Sequence, residues 1–279
     1  PSYARMEGQS EKGWGQRTYS DYTNKQIELY LTYDRMFGKD HHLNILGGYS
    51  YLNNVYEGFG STRSGFDTNA FGYNNLGAGT DFRQGDVYSF KGESTLVSFF
   101  GRANYSYLNR YMITATLRQD GSSRFGENHK WGTFPSISLA WRLSDEPFMK
   151  CTSSWLDNLK VRFGFGVTGN QNGIGEYKSL SILSASGAAY YDAATQTWKN
   201  AYTQSQNVNP DLKWESTSQW NFGLDFSIFN RINGTLELYH KKTSDLLWTY
   251  PVPQPPYLVG TMLANVGDLV NKGFELTLG

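Results

Sequence analysis

The chain has 279 residues, and 25 Lys+Arg balance 25 Asp+Glu, so the formal charge is zero and no basic excess argues for nucleic acid. It contains no run of about 18 apolar residues, which excludes a membrane-spanning helix, and its one cysteine, Cys151, excludes an internal disulfide or a CxxC zinc site. Aromatics nevertheless reach 16%, with 20 Tyr, 17 Phe and 8 Trp, and there are 30 glycines.

Pro1 to Gly15 is polar and lacks the apolar segment of a secretory signal. From Gln26 a period of two begins, with Ile27, Leu29, Leu31 and Tyr33 on one side and Glu28, Tyr30, Thr32 and Asp34 on the other. After the break at 38–40, Leu43, Ile45, Gly47, Tyr49 and Tyr51 continue it. Segment 54–93 is rich in Gly, Asn and Phe without a regular period and reads as a long loop. Val97, Phe99, Gly101, Ala103, Tyr105 and Tyr107 form the next stripe, and a turn at 108–110 leads into Tyr111, Ile113, Ala115 and Leu117. Beyond a loop at 120–130 come Ile137, Leu139 and Trp141, then a connection at 143–157. Leu159, Val161, Phe163, Phe165 and Val167 precede a long loop at 169–216. Trp220, Phe222, Leu224, Phe226 and Ile228 make the clearest stripe. A turn at 229–231 gives way to Ile232, Leu236 and Leu238, a Pro-rich loop at 243–271 follows, and Phe274, Leu276 and Leu278 close the series.

Nine strands are thus expected, each of about the 9–11 residues that cross a bilayer at a tilt. The mean hydropathy of −0.54 fits this, because a barrel strand needs only every second residue apolar. Short or medium links at 37–40, 108–110, 143–157 and 229–231 alternate with long ones, as tight periplasmic turns and long outer loops do. Arg102, Arg118, Arg142, Arg162, Asp225, Glu237 and Glu275 all fall on the polar face. On the lipid side at mid-bilayer each would cost about 2–4 kcal/mol. A soluble sheet with one wet face would also place them there. The fold expected is an all-β, antiparallel transmembrane barrel in one partial domain over 1–279. Nine is an odd count for a bacterial single-chain barrel, so further strands are expected to complete it.

Several stretches carry a family resemblance. They include Ser98-Phe99-Phe100-Gly101-Arg102-Ala103-Asn104-Tyr105, Arg118-Gln119-Asp120-Gly121-Ser122-Ser123-Arg124-Phe125-Gly126, Phe134-Pro135-Ser136 and Trp141-Arg142. Further on stand Leu159-Lys160-Val161-Arg162, Gly166-Val167-Thr168-Gly169-Asn170-Gln171, Asn209-Pro210-Asp211-Leu212-Lys213-Trp214-Glu215, Gly223-Leu224-Asp225-Phe226, Asn265-Val266-Gly267-Asp268 and Asn271-Lys272-Gly273-Phe274-Glu275. In this order and spacing, over about 94–279, they resemble the SusC/RagA family of TonB-dependent outer-membrane receptors. The resemblance implies a barrel of about 22 strands around an N-terminal plug, with neither plug nor TonB box in this chain. It implies uptake of oligosaccharides, or of peptides as in RagA-type members, with a SusD-like surface lipoprotein. Energy would come from TonB–ExbB–ExbD. A passive porin-like or adhesive barrel is the alternative. No cofactor and no bond-making chemistry is expected.

Binding is expected in the loops, where aromatic faces can stack on sugar rings among amide and carboxylate groups. The candidates are Tyr56, Phe59, Phe71 and Tyr73, with Phe66 nearby, and Tyr190, Tyr191, Trp198 and Tyr202. The alternative for each is packing of loop against loop. Arg118, Asp120 and Arg124 are expected to form an ion network at the barrel rim, with Gly121 in the turn. Gly164 to Gly169 spells G-x-G-x-x-G but sits inside a strand with no helix to bind phosphate. His41 and His42 read as a solvated pair. His129, near Ser122 and Ser123, is the one candidate for a rim nucleophile site, and no orienting third group accompanies it.

Overall fold

The computed structural model describes residues 13–68, 70–83 and 85–279, leaving aside the side chains of 186–189. Most of the polar N-terminal segment lies outside these. Among the described residues thirteen strands form: β1 (Trp14–Phe37), β2 (His41–Ser64), β3 (Val87–Tyr107), β4 (Tyr111–Ser122), β5 (Trp131–Arg142), β6 (Leu156–Asn170), β7 (Leu183–Asp192), β8 (Thr197–Gln204), β9 (Glu215–Ile228), β10 (Ile232–Ser244), β11 (Leu247–Pro251), β12 (Thr261–Asn265) and β13 (Leu269–Leu278). Nine pair into one sheet in the order β1-β2-β3-β4-β5-β6-β9-β10-β13, while β7-β8 and β11-β12 are separate hairpins inserted in long connections. No helix among these residues is long and apolar enough to cross a membrane.

The nine expected strands are the nine of this sheet, and the first three run far beyond the expected length. β1 and β2 each run 24 residues and β3 runs 21, so the expected loop 54–93 shrinks to 65–86. The glycines that break the sequence pattern there have a packing reason. A Cβ at Gly58 would lie 2.7 Å from the Phe90 ring, and one at Gly60 would lie 2.5 Å from the Tyr88 ring. These bare backbones let the aromatic rings of β3 lie across β2.

Two compact units are distinguished by their internal packing. One takes in β1 up to Gln26 together with Leu52–Ser94. In it Phe66 is fully buried, Arg63 stacks 4.3 Å from the Phe82 ring centre, and the backbones of Ser64 and Asp81 pair in both directions. The other comprises Ile27–Tyr51 and Thr95–Gly279. It holds the cluster of Phe125, Phe134, Ile174, Leu212 and Trp214, packed with Leu96, Val167, Leu247 and Leu263.

In this second unit the register assigns every side chain to a face. Ile113, Leu139, Phe163, Phe222, Leu238 and Phe274 follow one another in register across six strands. Residues directly opposite in adjacent strands share a face, so this is one continuous apolar surface. Most of it is exposed: Leu117 is 56% and Phe274 72% accessible. A sheet exposing such a band in water would be an aggregation site; in a barrel wall it meets lipid.

The tight connections fit their positions. Leu108 and Asn109, and again Phe229 and Asn230, have φ between 51° and 55°. Each pair is closed by a backbone bond, Arg110 to Tyr107 and Arg231 to Ile228. Positive φ at both central residues is the two-residue turn whose twist matches antiparallel strands.

Candidate functional site

The face opposite the apolar band is built from short polar side chains, with Thr114, Ser138, Gly164 and Asn221 in register across four strands. A trough of about 520 Å³ runs along it, lined among others by Arg102, Thr116, Ser136, Thr168, Thr217 and Gln219. Hydroxyls and amides recur along this lining beside Ile137, Phe165 and the Arg102 guanidinium, a mixture that can bond the hydroxyls of a solute and pack its apolar faces.

Several charges on the same face are held in pairs. Arg162 on β6 donates from Nε and Nη2 to both Asp225 oxygens at 2.9 Å, and Nη2 also reaches Glu237 Oε1 at 2.7 Å. The Thr235 hydroxyl adds a 3.3 Å bond to Asp225. Glu275 stands opposite Glu237 in the β10–β13 register. Arg118 donates from Nε to both oxygens of Asp120 at 2.8 Å and from Nη2 to Ser98 Oγ at 2.9 Å. Arg124 turns instead to Glu176 of the following long loop at 2.8 Å, a partner that its local spacing could not reveal, so the expected three-residue network stands as two ion pairs. Arg102 donates to Asn104, which also accepts from Thr114 and donates to Asn44. Arg142 pairs with Asp145 at 3.4 Å.

At the end of the short connections, Glu146 is the anchor that the sequence reading did not single out. It accepts from the Tyr111 hydroxyl at 2.5 Å, the Trp141 indole at 2.9 Å and Arg110 at 3.2 Å. Tyr107, Tyr111 and Trp141 lie side by side with ring centres 6.1 Å apart, a row of interfacial aromatics. The tyrosine hydroxyl first, then the indole, hold the Glu146 carboxyl below the usual carboxylate range.

At the other end the resemblance motifs converge. Phe125 and Trp214 pack with ring centres 4.5 Å apart, Phe134 meets Trp214 edge-on at 5.5 Å, and the Trp214 indole donates to Lys130 O at 3.1 Å. A Cβ at Gly126 would fall 1.9 Å from Pro210 O, so only glycine lets these segments touch. The Asn265 amide donates to Lys213 O and Asp245 O and accepts from Lys213 N. Asn209 reaches Leu263 O. These motif residues therefore lock three long connections together.

The aromatic candidates divide between the two units. Tyr56 and Phe59 lie in β2, not in a loop; Tyr56 packs on Phe90 at 4.9 Å and Phe59 on Tyr19 at 5.7 Å. Phe71 and Tyr73 sit exposed in the 65–86 connection, whereas Phe66 is buried. In the other unit Tyr190 and Tyr191 fall on β7, and Trp198 and Tyr202 on β8. Tyr191 stands opposite Trp198 with the rings edge-on at 5.5 Å. Trp198 and Tyr202, two positions of alternation apart on one strand, share a face and are 70% and 68% exposed. Lys199 pairs with Asp192 at the hairpin end, and this bond is the main cause lowering the Asp192 carboxyl.

The other motifs have structural partners. Gly164–Gly169 runs inside β6. His42 faces Asp34 at 3.1 Å and His41 lies 2.7 Å from the Tyr105 hydroxyl, so the pair is tied into the sheet, not merely solvated. The Ser122 and Ser123 hydroxyls accept from the backbones of Arg124 and Thr95, and His129 comes only to 3.9 Å of Asp211. Among the described residues no group of three or more His, Cys, Asp or Glu could hold a metal ion.

The family model described as TonB dependent receptor-like, beta-barrel matches residues 2–279. The chain is 40% identical over 263 residues to TonB-dependent receptor P3 of Formosa agariphila, covering 93% of this chain and 25% of that protein. It is 36% identical over 279 residues to TonB-dependent receptor SusC of Bacteroides thetaiotaomicron, covering 97% and 26%. It superposes on the solved RagAB peptide transporter with a TM-score of 0.78 at 27% identity, over 95% of this chain and 28% of that one. The chain therefore spans about a quarter of the length of the curated relatives it matches.

Proposed function

The chain belongs to the TonB-dependent receptor-like β-barrel family, and on that premise we propose that it forms part of the wall of an outer-membrane importer of oligosaccharides. The polar face lines the lumen and the apolar face meets lipid. The observation that carries the substrate reading is the β7–β8 hairpin, which exposes the rings of Trp198, Tyr202 and Tyr191. Pyranose rings stack on such faces while nearby amides bond their hydroxyls. The hydroxyl-rich trough, with Arg102 as its one charged lining residue, offers the same solute further hydrogen-bonding groups.

In this account a SusD-like surface lipoprotein covers the mouth, and TonB–ExbB–ExbD supplies energy through a plug region carried elsewhere in the receptor. The chain makes and breaks no bonds. Binding measured by calorimetry on the intact receptor, against panels of neutral oligosaccharides and of oligopeptides, tests the reading. Oligosaccharide binding weakened in Trp198→Ala and Tyr202→Ala supports it; binding of peptides alone overturns it. A peptide importer is the second reading, favoured by the superposition on the RagAB peptide transporter.

A further inference from the structure

On β9, β10 and β13 the lipid-facing side changes character along the strands. Leu236, Leu224 and Leu276 are in register, as are Leu238, Phe222 and Phe274. The next row on that face is His240, Trp220 and Lys272, and the row after it places Lys242 with Ser218 and Val270. Two lysines and a histidine therefore stand on a side whose two preceding rows are wholly apolar, on the half nearer the long connections. Lys242 pairs with Asp268 at 2.8 Å. Lys272 is exposed and has no ion pair among the described residues. The other neighbours on that face are uncharged.

The position matters as much as the charge. From Ile232, just past the tight turn, to His240 is eight residues, or about 26 Å along the strand at about 3.3 Å per residue. At a tilt of about 35–45° this climbs about 20 Å, and Lys242 lies near the top of an apolar band about 25 Å tall. A lipid-facing lysine is costly at the midplane and nearly free at the boundary, where its long stem lets the ammonium reach the headgroups.

We propose that Lys272 and Lys242, with His240 and Trp220 beside them, form a docking site on the outside of the wall for the phosphate of an outer-leaflet lipid. This rests on the reading of the sheet as an outer-membrane wall whose long connections face outward. Lys272 supplies the unpaired cation, Lys242 shares its charge with Asp268, and Trp220 packs against the lipid's glycosidic or acyl portion at the interface.

The test uses the intact receptor in micelles doped with monophosphorylated lipid A or its dephosphorylated counterpart, with bound lipid counted by native mass spectrometry. Phosphorylated lipid is retained and the dephosphorylated form is not. Each of Lys272→Ala and Lys242→Ala weakens retention about fivefold, the contribution of one cation near an anionic surface. Lys272→Arg retains the lipid, which separates lost charge from misfolding. Lys241→Ala, one residue along β10 on the lumen face, leaves retention unchanged. Equal retention of both lipids, or loss of lipid only in Lys241→Ala, overturns the proposal. Competition of the phosphorylated lipid by inorganic phosphate alone would reassign the site to a soluble anion and overturn it too. Absence of the receptor from outer-membrane fractions would instead defeat the wall reading itself.

Discussion

Arg162 and Asp225 clasp each other through two parallel 2.9 Å hydrogen bonds across the β6–β9 pairing, with Glu237 of β10 drawn to the same guanidinium. One cation thus joins carboxylates on two strands, and Glu275 lies next in register beyond Glu237. Such bidentate pairs are the strong members of their class. Half-exposed to the lumen, the cluster ranks between a surface pair and a buried one.

Replacing Arg162 with Met removes the cation and leaves Asp225 and Glu237 facing each other. The expected loss is about 1–2 kcal/mol, read as a lower unfolding temperature of the receptor in detergent by heat-modifiable gel mobility. Adding Asp225→Asn and Glu237→Gln to that variant recovers most of the loss. No recovery would mean that Arg162 stabilises by packing alone.

The two faces predict opposite responses to one substitution. Phe222→Arg puts a charge in the middle of the apolar band and costs about 2–4 kcal/mol, seen as reduced assembly into the outer membrane. Gln219→Arg, three residues earlier on the lumen face, assembles at close to the wild-type level.

Much of this organisation was legible in the sequence because alternation is a local property. Each stripe, from Val97–Tyr107 to Trp220–Ile228, names its own faces, and the alternation of short and long links names the ends. What escaped was set by contacts distant in the chain. The extension of β2 through Tyr56 and Phe59 was hidden by glycines whose purpose is to receive rings from β3. The β7–β8 and β11–β12 hairpins lack a clean alternation because they serve no lipid face. Phe125, Trp214 and Asn265 stand in motifs about 50–90 residues apart, and their shared packing with the long connections appears only when the chain is folded. Glu146 carried a weaker signal, the second of two adjacent acids after the Trp141-Arg142 stripe and directly before a proline.

Glu146 makes the short-connection end sensitive to acid. Its carboxyl is held below the ordinary value of about 4.3, so its contribution is fully present above that value and is lost as pH falls through the lower folded-state value. Wild type melts above Glu146→Gln at neutral pH, and the gap closes as the pH drops below about 4. A gap independent of pH would show that the carboxylate charge does not carry the anchor.

Gly126 tests the locked connections. A Cβ there meets the Pro210 carbonyl, which cannot swing away as a side chain can. Gly126→Ala costs about 1–3 kcal/mol of packing, read as faster proteolytic cleavage within 123–130 and 205–214 while the sheet stays intact. Unchanged cleavage would show that the contact yields freely.

The most direct test of the import account is energised uptake of labelled neutral oligosaccharides by intact cells that rely on this receptor. The account predicts uptake that stops when the proton gradient is collapsed and that falls about fivefold for each ring lost in Trp198→Ala and Tyr202→Ala, the contribution of one aromatic contact of about 1 kcal/mol. Uptake that persists without the gradient, or that is untouched by both substitutions, would contradict it.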